Sequence, residues 1–187
     1  SHYTYFPQEE RLVPESQLIE TWASKIDQVF QDVVQKLRTK EVWVPLSGGY
    51  DSRLVLSKLC EFHCENIRAF SYGVKNNEEL ETARHVALEL GVEWLCLESD
   101  TGTLRSLFRQ EKRKKYSALA DGLHVTPSTL EFESISRLSQ RGVFSNKTVI
   151  VNGLSGDFLF GGHVPAELLD QPFRAVAVDK IIDKHCS

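Results

Sequence analysis

Residues 42–60 read Val-Trp-Val-Pro-Leu-Ser-Gly-Gly-Tyr-Asp-Ser-Arg-Leu-Val-Leu-Ser-Lys-Leu-Cys, and the chemistry is concentrated in Ser47-Gly48-Gly49-Tyr50-Asp51-Ser52. A short apolar run breaks into two glycines, and an acid and a hydroxyl residue then open a segment of helical period. That order describes a strand, an anion-cradling loop and a helix start. Gly48 and Gly49 are expected to supply positive φ and close backbone approach, so that consecutive N–H groups converge on a phosphate. Ser47 and Ser52 add hydroxyl donors, and the helix beginning near Asp51 adds the positive end of its dipole. A carboxylate beside phosphates is repulsive unless a divalent cation lies between them, so Asp51 implies Mg²⁺. No Gly-Lys-Ser/Thr follows the glycines, which excludes the Walker pattern. The plainer alternative is a tight strand-to-helix turn that needs glycine.

A second stretch, residues 147–163, reads Lys-Thr-Val-Ile-Val-Asn-Gly-Leu-Ser-Gly-Asp-Phe-Leu-Phe-Gly-Gly-His. Here too a β-branched run (Val149, Ile150, Val151) breaks into a glycine-rich turn that carries an acid. The hexapeptide resembles the Ser-Gly-Gly-x-Asp-Ser signature of the PP-loop ATP pyrophosphatases. The second stretch resembles Leu-Ser-Gly-Glu-Gly-Ser-Asp-Glu-Leu-Phe-Gly-Gly-Tyr of asparagine synthetases, with Gly153, Asp157, Leu159, Phe160, Gly161 and Gly162 at matching positions. Between them, Ala-Phe-Ser-Tyr-Gly and Glu81-Thr-Ala-Arg-His-Val-Ala-Leu-Glu-Leu-Gly91 are similar to that family's second strand and following helix. Three blocks in the same order cover most of residues 42–163.

The resemblance implies an α/β fold, a parallel twisted sheet with helices on both faces, preceded by a long N-terminal helix. It implies ATP and Mg²⁺ as cofactors. Ser47, Gly48, Gly49, Asp51, Ser52, Ser71 and Gly153 would bind the nucleotide, and Asp51 and Asp157 would hold the metal on the pyrophosphate. In such enzymes a substrate carboxylate is adenylylated, pyrophosphate leaves, and nitrogen displaces AMP. The acceptor would be aspartate or an analogue, with ammonia supplied by a glutaminase domain of the full-length protein. Asp157 has a second reading as a helix cap. The departures are specific: the family's two glutamates are Leu154 and Phe158 here, and Ser155-Gly156 replaces Gly-Ser. They put plain asparagine synthesis in doubt and favour a divergent amide-forming relative. Three alternatives follow. One is a non-catalytic ATP-binding module; another is an amidotransferase for a surface-polysaccharide sugar or an antibiotic precursor. The third, a PP-loop tRNA-modifying enzyme, is opposed by the second motif and by the charge.

The elements that must position these residues follow from hydrophobic period. Leu18, Ile19, Trp22, Ile26, Val29, Phe30, Val33, Val34 and Leu37 recur at helical steps, predicting a long amphipathic helix from Glu15 to Leu37 packed on the sheet. Strands are expected near 42–46, 67–72 and 93–98, with a helix at 51–63 and another opened by an Asn76/Glu79 capping box and stopped by Gly91. Strands alternating with helices imply parallel pairing. Helical periods recur around 103–114 and 130–141. The loop-like stretch between them carries Asp121 and His124, turn or core residues that the resemblance also makes candidates for the acceptor pocket. Residues 1–14 resemble the segment leading out of a glutaminase domain, and 15–187 would be the synthase domain, excised from a longer protein. The family's catalytic lysine context is not found around Lys180 or Lys184, so the isolated chain is expected to bind Mg-ATP without forming an amide at a useful rate.

Composition bounds the partners. A net charge of −4 argues against a nucleic-acid substrate, although Arg109 to Lys115 is locally basic, either as a solvated helix face or as a reach toward an anion. No apolar run has membrane-spanning length and no signal pattern opens the chain, so a cytoplasmic location and no membrane partner are expected. The Cys60-x₃-Cys64 pair with His63 permits a zinc reading, but Cys60, Cys64 and Cys96 sit in apolar-periodic segments that suit buried free thiols. Cys186 is the fourth cysteine.

Overall fold

Among the described residues four strands, β1 (Glu41–Pro45), β2 (Ile67–Gly73), β3 (Glu93–Glu98) and β4 (Thr148–Ile150), form one parallel sheet in the order β3-β2-β1-β4. The computed structural model describes residues 13–120, 129–154 and 156. Among these residues six helices accompany the strands: α1 (Glu15–Leu37), α2 (Tyr50–Glu61), α3 (Glu78–Glu89), α4 (Thr101–Phe108), α5 (Glu111–Ala120) and α6 (Thr129–Gln140).

Alternation along β1 divides the core in two. Val42, Val44 and Leu46 face a cluster built with Leu56 and Leu59 of α2, Ala83 and Ala87 of α3, and Leu37 of α1. Trp43 faces the other way, against Phe70, Leu97 and Leu138 of α6. The connections β1–β2 and β2–β3 therefore cross one face, and the β3–β4 connection crosses the other. Strand order reverses between β1 and β4, and the carboxyl ends of these two strands flank the crevice where open α/β sheets bind ligands.

Local chemistry sets the helix ends. Helices α2, α3 and α6 each stop in a Schellman turn, with His63 (φ 55), Gly91 (φ 65) and Gly142 (φ 66) at the left-handed position. The paired bonds are present in each: Cys64 N–H to Leu59 O, Val92 N–H to Ala87 O, and Val143 N–H to Leu138 O close the outer rings. The cap of α3 lies one residue later than its sequence pattern predicts. Asn76 takes φ 62, and Asn77, extended, accepts the Glu79 N–H at 2.9 Å. The left-handed Asn76 turns the chain so that its neighbour, not Asn76 itself, faces the first turn.

Two further expectations change. Helix α1 packs on the core only through Phe30, Val33, Val34 and Leu37, with Lys58 of α2 pairing Asp27 at 2.6 Å. Toward its start, Leu18, Ile19 and Trp22 are exposed, as is Val29 further on. The helical period at 103–114 resolves into α4 and α5, because Gln110 accepts the Arg113 and Lys114 N–H groups and starts a new helix. Lys112, Lys114 and Lys115 in the basic run are exposed, as a solvated face would be.

At the carboxyl end of β3 lies a buried charge. Glu133 of α6, 3% exposed, accepts from the Ser99 hydroxyl at 3.1 Å and pairs with Arg137 at 3.1 Å. Arg137 also donates to the Glu98 carbonyl at 2.9 Å. This network ties α6 to the end of β3 and so fixes one wall of the crevice.

Candidate functional site

The β1–α2 loop is held by its own serines. Ser47 N–H donates to Ser52 Oγ at 3.0 Å, the two hydroxyls lie 2.9 Å apart, and Gly49 N–H donates to Ser47 Oγ at 3.2 Å. Ser52 is 7% exposed, so its hydroxyl braces the loop from within while Ser47 lies at the surface. Gly49, at φ −75 and ψ 156, precedes α2 without contributing a side-chain cap. Among the described residues no side chain caps the first-turn N–H groups of α2, which carry the positive end of its dipole.

Gly49 corrects the expectation of positive φ in this loop. Among the described glycines only Gly91 and Gly142 are left-handed. What Gly48 and Gly49 supply is room. A Cβ on Gly48 would lie 3.2 Å from the Glu79 Cα, and one on Gly49 would lie 3.3 Å from the Ser47 hydroxyl. The start of α3 is packed on the loop, and a side chain at Gly49 would crowd the hydroxyl that orders it.

The second glycine-rich turn closes over the helix start. A Cβ on Gly153 would lie 2.9 Å from the Asp51 carbonyl carbon and 3.0 Å from Ser52 N, while one on Gly156 would fall on the Asp51 carboxylate itself. Asn152 accepts the Leu154 N–H at 3.3 Å, which shapes that turn. Because the atoms opposing a Gly153 side chain are backbone, Gly153→Ala is expected to cost about 2 kcal/mol of stability, in the range of overpacked cores. Urea unfolding reads it; an unchanged midpoint would mean that the two turns are not in contact.

Between these turns opens a cavity of about 330 Å³. Ser47, Gly49, Asp51 and Ser52 line it from the loop, Asn152, Gly153 and Leu154 from the end of β4, and Tyr72, Glu79, Leu80 and Glu131 from further round. Burial, and then the charge of Glu131, hold the Tyr72 phenol above its ordinary pKa. The donor set fits a magnesium nucleotide. An uncapped helix start and surface hydroxyl suit phosphate, glycines admit it closely, and of the three carboxylates in the lining, Asp51, Glu79 and Glu131, Asp51 at the head of α2 is the one that would hold a divalent cation.

The asparagine synthase family model matches residues 25–177. The chain belongs to the asparagine synthase family. It is thus a member of the PP-loop superfamily, whose enzymes use ATP. Among solved structures it is similar to an NH3-dependent NAD synthetase from Campylobacter jejuni subsp. jejuni NCTC 11168 in complex with the nitrate ion. The two share 20% identity and a TM-score of 0.50, over 76% of this chain and 59% of that one, a likeness of fold. No curated protein matches the sequence.

In this asparagine synthase family member, Ser47, Gly49, Asp51, Ser52 and Gly153 gather around one cavity, with Gly48 at its edge packed on Glu79. Ser71 does not line it. Its hydroxyl, 3% exposed, donates to the Leu46 carbonyl at 2.6 Å and accepts from Trp94 Nε1 at 2.8 Å, so the side chain joins neighbouring strands. Asp157, Asp121 and His124 lie outside the described residues, as do Phe158, Cys186 and residues 1–12. Leu154, in the place of the family glutamate, is 75% exposed at the cavity.

Tyr72, Glu131 and Asn152 were not singled out from the sequence, and Glu79 only as a capping-box residue. Tyr72 and Asn152 had a legible signal, since each lies at the carboxyl end of a strand. Glu131 had none, because it arrives on a helix from the opposite face of the sheet. Among the described residues no cluster of three or more metal-ligating side chains exists. The His63 backbone takes the left-handed position at the end of α2, and Cys60 and Cys64 are free thiols that are half-buried where burial was expected, enough for desolvation to push both up.

Proposed function

We propose that this chain binds Mg-ATP at the β1–β4 crevice and forms the nucleotide half of an amide-forming ligase of the asparagine synthetase type. The observation that carries the reading is the meeting of an uncapped helix start, a glycine loop and the Asp51 carboxylate at the sheet's switch point. The β- and γ-phosphates would rest on the loop amides and the Ser47 hydroxyl, leaving the α-phosphate open to an acceptor carboxylate. Asp51, with Asp157 as its partner, would hold Mg²⁺, which supplies positive charge to the departing pyrophosphate. Nitrogen then displaces AMP to form the amide. The acceptor would be aspartate, an analogue, or another molecule such as a surface-polysaccharide sugar or an antibiotic precursor. Asp121 and His124 are proposed for its pocket. In the full-length protein a glutaminase domain before residues 1–14 would deliver ammonia, and the site of action would be the cytoplasm. Among the described residues no helix is long and apolar enough to cross a membrane.

A second reading, an ATP-binding module without catalysis, draws support from Leu154, an exposed apolar side chain in the place of a family carboxylate. Pyrophosphate exchange separates the two. With Mg-ATP and a panel of carboxylates including aspartate, an adenylylating site moves labelled pyrophosphate into ATP in the presence of one of them. For the full-length protein the expected result is acceptor-dependent exchange. Tight ATP binding with no exchange across the panel would favour the module.

A further inference from the structure

We propose that Trp94 and Ser71 are positioning residues for the phosphate loop, acting through one peptide plane, Leu46–Ser47. The proposal rests on the reading of the cavity as an Mg-ATP site. That plane is held on both sides. Its carbonyl accepts from the Ser71 hydroxyl at 2.6 Å, and its N–H donates to Ser52 Oγ at 3.0 Å. The preceding N–H, of Leu46, donates to the Phe70 carbonyl at 2.8 Å. The direction of the relay follows from proton count. An indole N–H only donates, so Trp94 Nε1 gives its proton to Ser71 Oγ at 2.8 Å, and Ser71 passes its single proton to Leu46.

Three features make this a loop device in addition to a sheet contact. The β1–β2 register ends with Pro45 opposite Phe70, and the relay sits one residue beyond it, where the loop begins. Leu46 and Ser71 are each 3% exposed, so solvent does not readily replace a lost partner. Leu46 itself lines the cavity beside Ser47. Trp94, on β3 and two strands away from the loop, thus bears on where the Ser47 amide and hydroxyl stand. Among the sequence-predicted nucleotide residues, Ser71 acts at one remove, by orienting a carbonyl.

The test compares Ser71→Ala and Trp94→Phe with the unaltered chain. It measures Mg-ATP affinity by calorimetry, exchange of the Ser47 amide proton, and melting temperature. A control, Leu138→Val, trims the second core away from the loop. Removing the Ser71 hydroxyl orphans the Leu46 carbonyl and the Trp94 N–H together, so Ser71→Ala is expected to weaken Mg-ATP about tenfold. Trp94→Phe, which keeps an aromatic ring in place, is expected to weaken it by less, and the double variant no more than Ser71→Ala alone. Both variants should speed Ser47 exchange, whereas Leu138→Val should lower the melting temperature and leave affinity and exchange as they were. Wild-type affinity and wild-type Ser47 exchange in both variants would overturn the relay. If Ser71→Ala fails to fold, Trp94→Phe carries the comparison. If the unaltered chain does not bind Mg-ATP, the nucleotide reading fails. Ser47 exchange then decides the relay alone, faster in the variants if it is right and unchanged if it is wrong.

Discussion

Asp51→Asn is expected to remove most of the Mg²⁺-dependent part of ATP binding. The substitution keeps the size of the side chain and deletes the charge proposed to hold the cation. Asp51 is half-buried at the head of α2 and walled by the second glycine turn. Breaking a charge pair in such a place costs about 2 kcal/mol, the low end of the range for buried pairs, which is roughly thirtyfold in affinity. Calorimetry with ATP, in Mg²⁺ and in chelator, reads the difference directly. Gly156→Ala supplies an independent arm, because its Cβ would occupy the place of the Asp51 carboxylate and push it aside with its charge intact. Without metal, Asp51→Asn should bind ATP at least as tightly as the unaltered chain, because the carboxylate that repels phosphate is gone, and Gly156→Ala, which keeps the charge, should bind it no better than the unaltered chain. An equal response to Mg²⁺ in the unaltered chain and in Asp51→Asn would sink the metal role.

The second large effect lies away from the nucleotide. Arg137→Ala strands Glu133, 3% exposed, with the Ser99 hydroxyl as the partner left to it in the network. An uncompensated buried carboxylate costs about 3 kcal/mol, the lower end of the usual range, because the Arg137 side chain is itself 29% exposed. Urea denaturation should show the loss as a lower midpoint with little change in slope. Replacing both partners at once, Glu133→Leu with Arg137→Met, should recover most of it, since an apolar pair carries no desolvation cost. If Arg137→Ala alone is neutral, the ion pair is not what fastens α6 to β3. Glu131 shares that helix, so the same variant should also loosen the cavity's far wall.

The parts of this fold that were legible in sequence are those governed by neighbours in the chain. β1, β2 and β3 fall within a residue of where β-branched and aromatic runs place them, and the Gly91 stop is a Schellman turn. Segments whose meaning depends on distant partners were misread in physical detail. Gly48 and Gly49 look like conformational glycines, yet their backbone is ordinary and what excludes a side chain is the start of α3 and a serine hydroxyl. Ser71 matches a nucleotide-binding block, but Trp94, 23 residues on, claims its hydroxyl. The apolar period of α1 is uniform, though only its later turns meet the core, because period reports which face is apolar and says nothing of what covers it. Glu131 could not be read at all, since its place in the cavity depends on a crossover to the other face of the sheet.

The order β3-β2-β1-β4 also has a meaning in time. Strands β1 to β3 are each one crossover apart, so they can pair as soon as the chain through residue 98 has been synthesised. β4 belongs beside β1, yet Thr148 lies 107 residues beyond Glu41, with which it bonds. For that interval a chain leaving the ribosome presents β1 as an unpaired edge, its Val42 and Trp43 main chains open to any other strand. The crevice lacks Asn152 and Gly153 over the same period, so a nucleotide bound as proposed would not stabilise the growing half. Synthesis halted short of residue 150 would therefore leave an aggregation-prone fragment, and nucleotide would protect only chains that have passed that point.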